Sequence, residues 1–412
     1  MREILSSCDG RLRTRDETGN TMTGTTGNVK QFEALLTPQG RELLDRLATE
    51  AGNSQSTLQL GTALRAEYPT ELVVAAISQY ELRLAAQAKF TRAMEMYFTR
   101  SGLEQASSEM IARHRANRYT MAGQVADLCS GIGGDLIALG AGRQAMAVDL
   151  DLLHLHIARL NAEVYGAAAG LKIVRDDVRN VELAGVDGVF IDPARRTAIG
   201  RMRIGDSEPP LEWCFGLAER VPAVGIKAAP GIDHERVPDG WELEFIAIGR
   251  DLKEAVAWSP AMSEVARRAT LLPEGISLTP ADGPEVEVRM PGGYLIDPNP
   301  AVTRAGLVQE LARELGAWKI DQRIAFLSAD EPLQTPYGRT MRVIDSAPWN
   351  QKQLPAKLRD LNIGAVDIRR RGLAGDVDVL HRKLKLEGSH RGTLVMTRVN
   401  DRPWGLICID DQ

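Results

Sequence analysis

The chain has little cysteine: four residues, Cys8, Cys129, Cys214 and Cys408, none in a C-x-x-C pair. Such scatter argues against a zinc module or a disulfide framework and points to a reducing cytoplasm, with no metal expected. No uninterrupted apolar stretch reaches the roughly 18 residues of a membrane span. The N-terminus, M-R-E-I-L-S-S-C-D-G, lacks the apolar core of a secretory signal. Positive charge is not in excess either: at −5 net and a pI of about 5.8, the molecule as a whole is no polycation. The charge is unevenly placed, however. From Arg339 to Gln412 there are 14 Lys/Arg against 9 Asp/Glu, a net of +5 on a body carrying −10, which fits a local nucleic-acid patch. There is no internal repeat.

What is present is ordinary globular material, 44% hydrophobic and 25% charged, long enough for two or three domains. Residues 1–30, rich in Thr, Gly, Asp and Arg, read as disordered, and Met22 is an alternative start. Residues 31–117 read as an all-helical N-terminal domain. Thr37 and Pro38 suit the cap and first turn of a helix continued by Leu43, Leu44 and Leu47. Further helical patterns run through Leu58–Ala66, Thr70–Phe90, Thr91–Tyr97 and Glu104–Ala116. Residues 118–282 alternate strand and helix: Val125–Leu128, Ala145–Val148, Lys172–Val174, Gly188–Ile191 and Val224–Lys227 are strands, with helices at Leu152–Tyr165 and Leu211–Val221. That order implies an α/β fold with a doubly wound parallel sheet. Trp241–Gly249, Glu254–Trp258 and Ala269–Leu272 read as further strands. Residues 283–412 read as a small α+β domain: a helix at Ala301–Leu315, strands at Arg342–Ile344, Gly392–Thr397 and Leu406–Ile409, and a helix near Gln353–Leu361.

The richest segment is V-A-D-L-C-S-G-I-G-G-D-L-I-A-L-G-A-G-R-Q-A-M-A-V-D-L-D, Val125–Asp151. A buried strand meets a glycine turn, a short helix and a second strand ending in Asp149. An acid at that strand end can bond ribose hydroxyls. A dinucleotide fingerprint would place a third glycine where Leu136 stands, and Asp127 before the turn would repel a pyrophosphate but suit a cation. On these residues the chain resembles the class I S-adenosylmethionine-dependent methyltransferases. Through H-I-A-R-L-N-A-E-V-Y-G it is similar to the RNA-cap trimethylguanosine synthases and related RNA methyltransferases. The tail, on R-R-R-G, H-R-K-L-K-L-E-G and the last strands, is similar to the THUMP-like domain of some bacterial methyltransferases. The resemblance implies a Rossmann-like sheet with an antiparallel edge and S-adenosyl-L-methionine as cofactor. It also implies cofactor contacts from Asp127, Ser130, Gly131, Ile132, Gly133, Asp149, Leu150, Asp177, Val178 and Asp192. Among these, Asp149 is expected on the ribose, Asp127 on the methionine amino end and Asp177 on the adenine amine, while Asp151 suits the start of the next helix.

The fourth strand ends in Asp192-Pro193-Ala194-Arg195-Arg196, where the resemblance places the D/N/S-P-P-aromatic motif of amino-directed base methyltransferases. There the acid or amide and a following carbonyl orient an amine toward the methyl. Asp192 and Pro193 keep the first half, whereas Ala194 and Arg195 depart from it. Arg195 can stack on a base or bind a phosphate, and Arg196, Arg201 and Arg203 follow closely. In the tail the densest charge is Arg369, Arg370, Arg371, Arg382, Lys383 and Lys385. Both clusters are expected to contact nucleic acid. Methylation of cytosine C5 needs a cysteine near this loop and none is present; Cys129 reads as packing. His154 and His156, two apart on a helix, face different ways and make poor joint metal ligands. The segment around Lys227, G-I-K-A-A-P-G, either lines the substrate side or is an ordinary loop. The expectation is a methyltransferase acting on a base nitrogen of RNA, with tRNA or rRNA as partner. DNA or a small molecule as acceptor, and a non-catalytic RNA-binding protein of this fold, are the alternatives.

Overall fold

Val125–Leu128, Ala145–Val148 and Gly188–Ile191 are apolar at nearly every position, as parallel strands covered on both faces must be. The computed structural model describes residues 23–50, 57–194, 196–197, 200–201, 207–384 and 386–410, and it places these runs inside a nine-stranded sheet. The first strands are β1 (Gln124–Leu128), β2 (Gln144–Asp149), β3 (Leu171–Arg175) and β4 (Gly188–Ile191). A small antiparallel ribbon of β5 (Arg196–Thr197) and β6 (Gly200–Arg201) follows. Then come β7 (Ala223–Ala228), β8 (Glu242–Ile248), β9 (Asp251–Trp258), β10 (Arg267–Leu272) and β11 (Ile276–Leu278). The spatial order is β11-β10-β8-β9-β7-β4-β1-β2-β3. β1 lies parallel between β2 and β4, so the winding reverses there and opens a crevice at their carboxyl ends.

Both faces are covered. Val125 and Ala145 pack with Ile111, Leu136 and Leu155 from the helices Glu109–Ala116, Leu136–Leu139 and Leu152–Val164. Ala126 and Leu128 belong to the opposite layer, with Leu211 and Cys214 from the helix Leu211–Gly216. One expectation needs correction. The antiparallel strand, β9, is not at the edge but between β7 and β8. Its two-residue link to β8, Gly249-Arg250, folds it straight back beside that strand, and the edge falls to β11, antiparallel to β10.

The chain divides into two compact units, Met1–Gln105 and Ala106–Gln412. In the first, Thr37 Oγ1 accepts from Gly40 N at 3.1 Å and starts the helix Pro38–Glu50, which buries Leu43, Leu44 and Leu47. Residues 1–22 lie outside the described residues. From Thr23 the chain is helical to Leu35, against the expectation of disorder up to residue 30, because Phe32 and Leu35 find buried positions. Thr91–Tyr97 forms turns instead of a helix: Met96, Tyr97 and Phe98 are buried in succession, which one helical face cannot provide, and Arg83 Nε bonds the Met96 carbonyl.

The helix expected over Glu104–Ala116 is interrupted: Glu104 and Gln105 end the helix Arg100–Gln105, and in the second unit a separate helix begins at Glu109, after an extended Ser108. The one expected at Ala301–Leu315 breaks at Gly306, whose φ is +71°. A seven-stranded sheet closes the unit: β12 (Tyr294–Pro298), β13 (Trp318–Lys319), β14 (Leu327–Ala329), β15 (Gly338–Pro348), β16 (Ile363–Arg370), β17 (His390–Val399) and β18 (Arg402–Ile409). Its order is β13-β14-β12-β15-β18-β17-β16. It is tied to the first sheet: Asn299 Nδ2 bonds the Gly249 carbonyl at 2.8 Å, and Ala301, Val302 and Ala305 share the core of β8 and β10. No helix among the described residues is long and apolar enough to cross a membrane.

Candidate active site

After β1 the backbone turns sharply, with left-handed φ at Cys129 (+60°), Gly131 (+52°) and Gly133 (+83°). Glycine adopts this region freely, but at Cys129 it costs on the order of 1 kcal/mol. The surroundings hold the turn in place. Ser130 N bonds the Val148 carbonyl at 3.0 Å, Gly131 N donates to Asp149 Oδ2 at 2.9 Å, and the buried Asn161 Nδ2 donates to the Ile132 carbonyl at 2.9 Å. The two glycines differ in task. A Cβ on Gly133 would meet Ala158 Cα at 3.0 Å, so that residue lets the turn pack on the helix Leu152–Val164. A Cβ on Gly131 would have nothing within 4 Å, so its face is open.

Asp149 closes β2 with its other oxygen accepting from Asp151 N at 2.9 Å. Asp151 caps the following helix, accepting from Leu153 N and His154 N at 2.8 and 3.2 Å. Leu150 beside it is an exposed apolar side chain, while Ile132 and Val178 are buried. After β3, Asp176 and Asp177 organise their own turn: Asp177 Oδ1 accepts from Arg179 N at 2.9 Å. Arg195, Arg203 and Lys385 lie outside the described residues. Arg196 and Arg201 are backbone partners in the register of β5 and β6.

Asp192 follows β4, and its Oδ2 receives Lys227 Nζ from the end of β7 at 2.6 Å. Lys227 is buried and also donates to Ser107 Oγ at 3.1 Å. Beneath lies a second cation, Arg115, which is 1% exposed. Its guanidinium sits 4.5 Å over the Phe190 ring, pairs with Glu254 of β9 at 2.5 Å and also pairs with Asp135. Four carboxylates (Asp127, Asp135, Asp192, Glu254) thus surround two cations. Burial works against both cations' charge, but these carboxylates outweigh it and hold Arg115 and Lys227 above their ordinary pKa values. For Asp127, burial together with Asp135 and Asp192 pushes the carboxyl well above its usual range. Its Oδ2 has no hydrogen-bond partner, and neither has the buried Ser130 Oγ. An orphaned carboxylate in a cluster whose acids outnumber its cations among the described residues fits a ligand carrying a cation, as S-adenosylmethionine does. Burial pushes the Cys129 thiol far up, which makes it a packing residue.

The structure therefore brings Asp127, the glycine turn, Asp149 and Asp192 to neighbouring strand ends of one sheet. Arg369 and Arg370 are exposed at the end of β16 in the other sheet, and Arg382 and Lys383 are exposed on the helix Val377–Lys383. Arg371 is occupied: it lies 4.5 Å over Phe326, pairs with Asp297 at 3.0 Å and donates to the Ala325 carbonyl. Sequence reasoning left Lys227 open between the substrate side and an ordinary loop, and missed Arg115, Glu254 and Ser107 as site residues. The available signal was a charge inside an apolar strand run, as in V-G-I-K-A and L-K-E-A-V-A-W.

Residues 122–202 match the family described as RNA cap guanine-N2 methyltransferase, residues 338–409 the family described as THUMP domain-like, and residues 28–86 a domain family of unknown function. Proteins from two strains of Mycobacterium tuberculosis, named as uncharacterized S-adenosylmethionine-dependent methyltransferases, are each 36% identical over 314 residues. The match covers 73% of this chain and 84% of theirs. The crystal structure of a protein assigned as a methyltransferase from Porphyromonas gingivalis shares the fold at a TM-score of 0.71 and 21% identity, covering 90% of this chain and 99% of its own.

Proposed function

Because the chain belongs to the S-adenosylmethionine-dependent methyltransferases, we propose that it methylates a base nitrogen of RNA, with tRNA or rRNA as the substrate class. S-adenosyl-L-methionine, when bound, supplies the electrophilic methyl group. Asp149 takes the ribose hydroxyls, Asp127 the methionine amino end, and Asp177 with Val178 the adenine. Ser130, Gly131, Ile132, Gly133 and Leu150 complete the wall.

The observation that carries the reading is the Asp192–Lys227 pair at the end of β4. With Oδ2 engaged by Lys227, Oδ1 is left to accept an N–H of the acceptor amine, and a carbonyl after Pro193 can take the second. Holding the nitrogen lone pair toward the methyl is positioning, which supplies much of such a barrier reduction. A neutral exocyclic amine needs no strong base, because it becomes acidic as the N–C bond forms. Lys227, kept as an ammonium by its carboxylate neighbours, is not that base. The raised Cys129 thiol is likewise unsuited to the covalent route used for ring carbons. RNA is supported by the description of the family that residues 122–202 match and by the exposed Arg369, Arg370, Arg382 and Lys383.

The test is to supply tritiated cofactor with separate RNA, DNA and small-molecule fractions. Label should enter RNA with the parent enzyme and not with Asp192→Ala. Label in DNA or small molecules, with RNA blank, contradicts the proposal.

A further inference from the structure

Among the described residues, the floor of the crevice carries more negative charge than their cations neutralise. Asp127 projects from β1, Asp192 follows β4, Asp135 ends the glycine turn and Glu254 belongs to β9, while Asp149 adds its field from β2. The cations are Arg115, from the helix Glu109–Ala116, and Lys227 of β7, and both are committed: Arg115 to Asp135 and Glu254, Lys227 to Asp192. Asp127 is left over. It is 1% exposed with an unpartnered Oδ2, and Ser130, 8% exposed, has an unpartnered Oγ in the same turn. An ionised carboxylate in that position costs several kcal/mol, and such a group takes up a proton instead.

We propose that Asp127 carries a proton in the cofactor-free enzyme and releases it when the ammonium of the cofactor's amino-acid end arrives, so that the cofactor binds in exchange for a proton. The carboxyl O–H bond breaks, the proton passes to buffer, and the carboxylate pairs with the incoming cation; no other bond changes. The upward displacement of both Asp127 and Glu254 by burial agrees with a cluster that holds a proton to give. The proposal rests on the placement of the methionine amino end at Asp127. A ligand that releases a proton binds more tightly as pH rises, by at most about tenfold per unit, until the group ionises unaided.

The test is titration calorimetry near pH 6.5, roughly a unit below the ordinary pKa of the ligand's own α-amino group. S-adenosylmethionine, S-adenosylhomocysteine and adenosine are each titrated in two buffers of different ionisation enthalpy. The heats should reveal release of about one proton with the first two ligands and none with adenosine, which lacks the ammonium. Asp127→Asn mimics the protonated carboxyl and should fold. It should bind S-adenosylmethionine at least about tenfold more weakly, with no proton release and no pH dependence. Buffer-independent heat in the parent enzyme overturns the proposal whether or not the variant folds, and so does undiminished proton release in the variant. Wild-type affinity in Asp127→Asn removes the amino end from Asp127 and the proposal with it. Weakened binding in the variant without proton release in the parent removes the proposal alone.

Discussion

Replacing Lys227 by Met tests the construction of the site through its stability. The side chain is 7% exposed and its partner Asp192 is 25% exposed, with 2.6 Å between Nζ and Oδ2. Removing one partner of a buried pair costs about 3–5 kcal/mol, because the other charge stays behind uncompensated. Asp192 keeps some water, which argues for the lower figure, about 3 kcal/mol. The unit from Ala106 to Gln412 spans some three hundred residues. At about 2.1 cal/mol/K per residue its unfolding entropy is near 0.6 kcal/mol/K, so Tm should fall by about 5 °C. Adding Asp192→Asn removes the stranded charge, and the double variant should recover more than half of that loss. Scanning calorimetry of the four proteins measures both quantities. A single variant within about 1 °C of the parent, or a double variant no more stable than the single, refutes the account of this pair.

Three further outcomes follow from the geometry. Asp149→Ala should weaken S-adenosylmethionine binding at least about tenfold, about 1.4 kcal/mol, by calorimetry; unchanged affinity removes Asp149 from the site. Neutralising Arg369, Arg370, Arg382 and Lys383 together should lower RNA affinity and flatten its salt dependence, by about 0.7 in the log–log slope for each phosphate that no longer meets a cation, while cofactor affinity holds. Glu244 is buried, which favours its neutral form, but bonds from His114 at 2.7 Å and from Thr270 outweigh burial and bring its pKa down to about 2 from 4.5. A depressed carboxylate stabilises the fold above pH 4.5 and loses that contribution as pH falls from 4.5 toward 2. Glu244→Gln should therefore flatten the acid limb of an unfolding curve in that window, and an unchanged limb contradicts the assignment.

β1, β2 and β4 were legible because strands covered on both faces leave continuous apolar runs, and the turn after β1 because several of its residues need left-handed backbone. The acids at the ends of β1, β2 and β4 could be read from their distance along the chain. Their partners could not. Lys227 stands in an apolar run 35 residues after Asp192, and Arg115 reaches Glu254 across 139. Only strand order makes these residues neighbours, and a charged residue in a strand does not announce which charge it meets. The interior position of β9 was missed for a related reason: the Gly249-Arg250 link shows that it turns back, not which flank of β8 it takes. Gly133 was read only as part of a ligand cradle, and Ala158 shows that it also lets the turn pack on its helix. Arg371, read as free surface charge, is taken up by Asp297 and Phe326 because β12 and the end of β16 converge.

The most direct measurement is the identity of the methylated atom. RNA incubated with the enzyme and methyl-deuterated S-adenosylmethionine is digested to nucleosides and analysed by mass spectrometry. The account predicts the label on an exocyclic or ring nitrogen of one base, and its loss with Asp192→Ala. Label on a ribose oxygen or a base carbon, or label that persists in the variant, contradicts it.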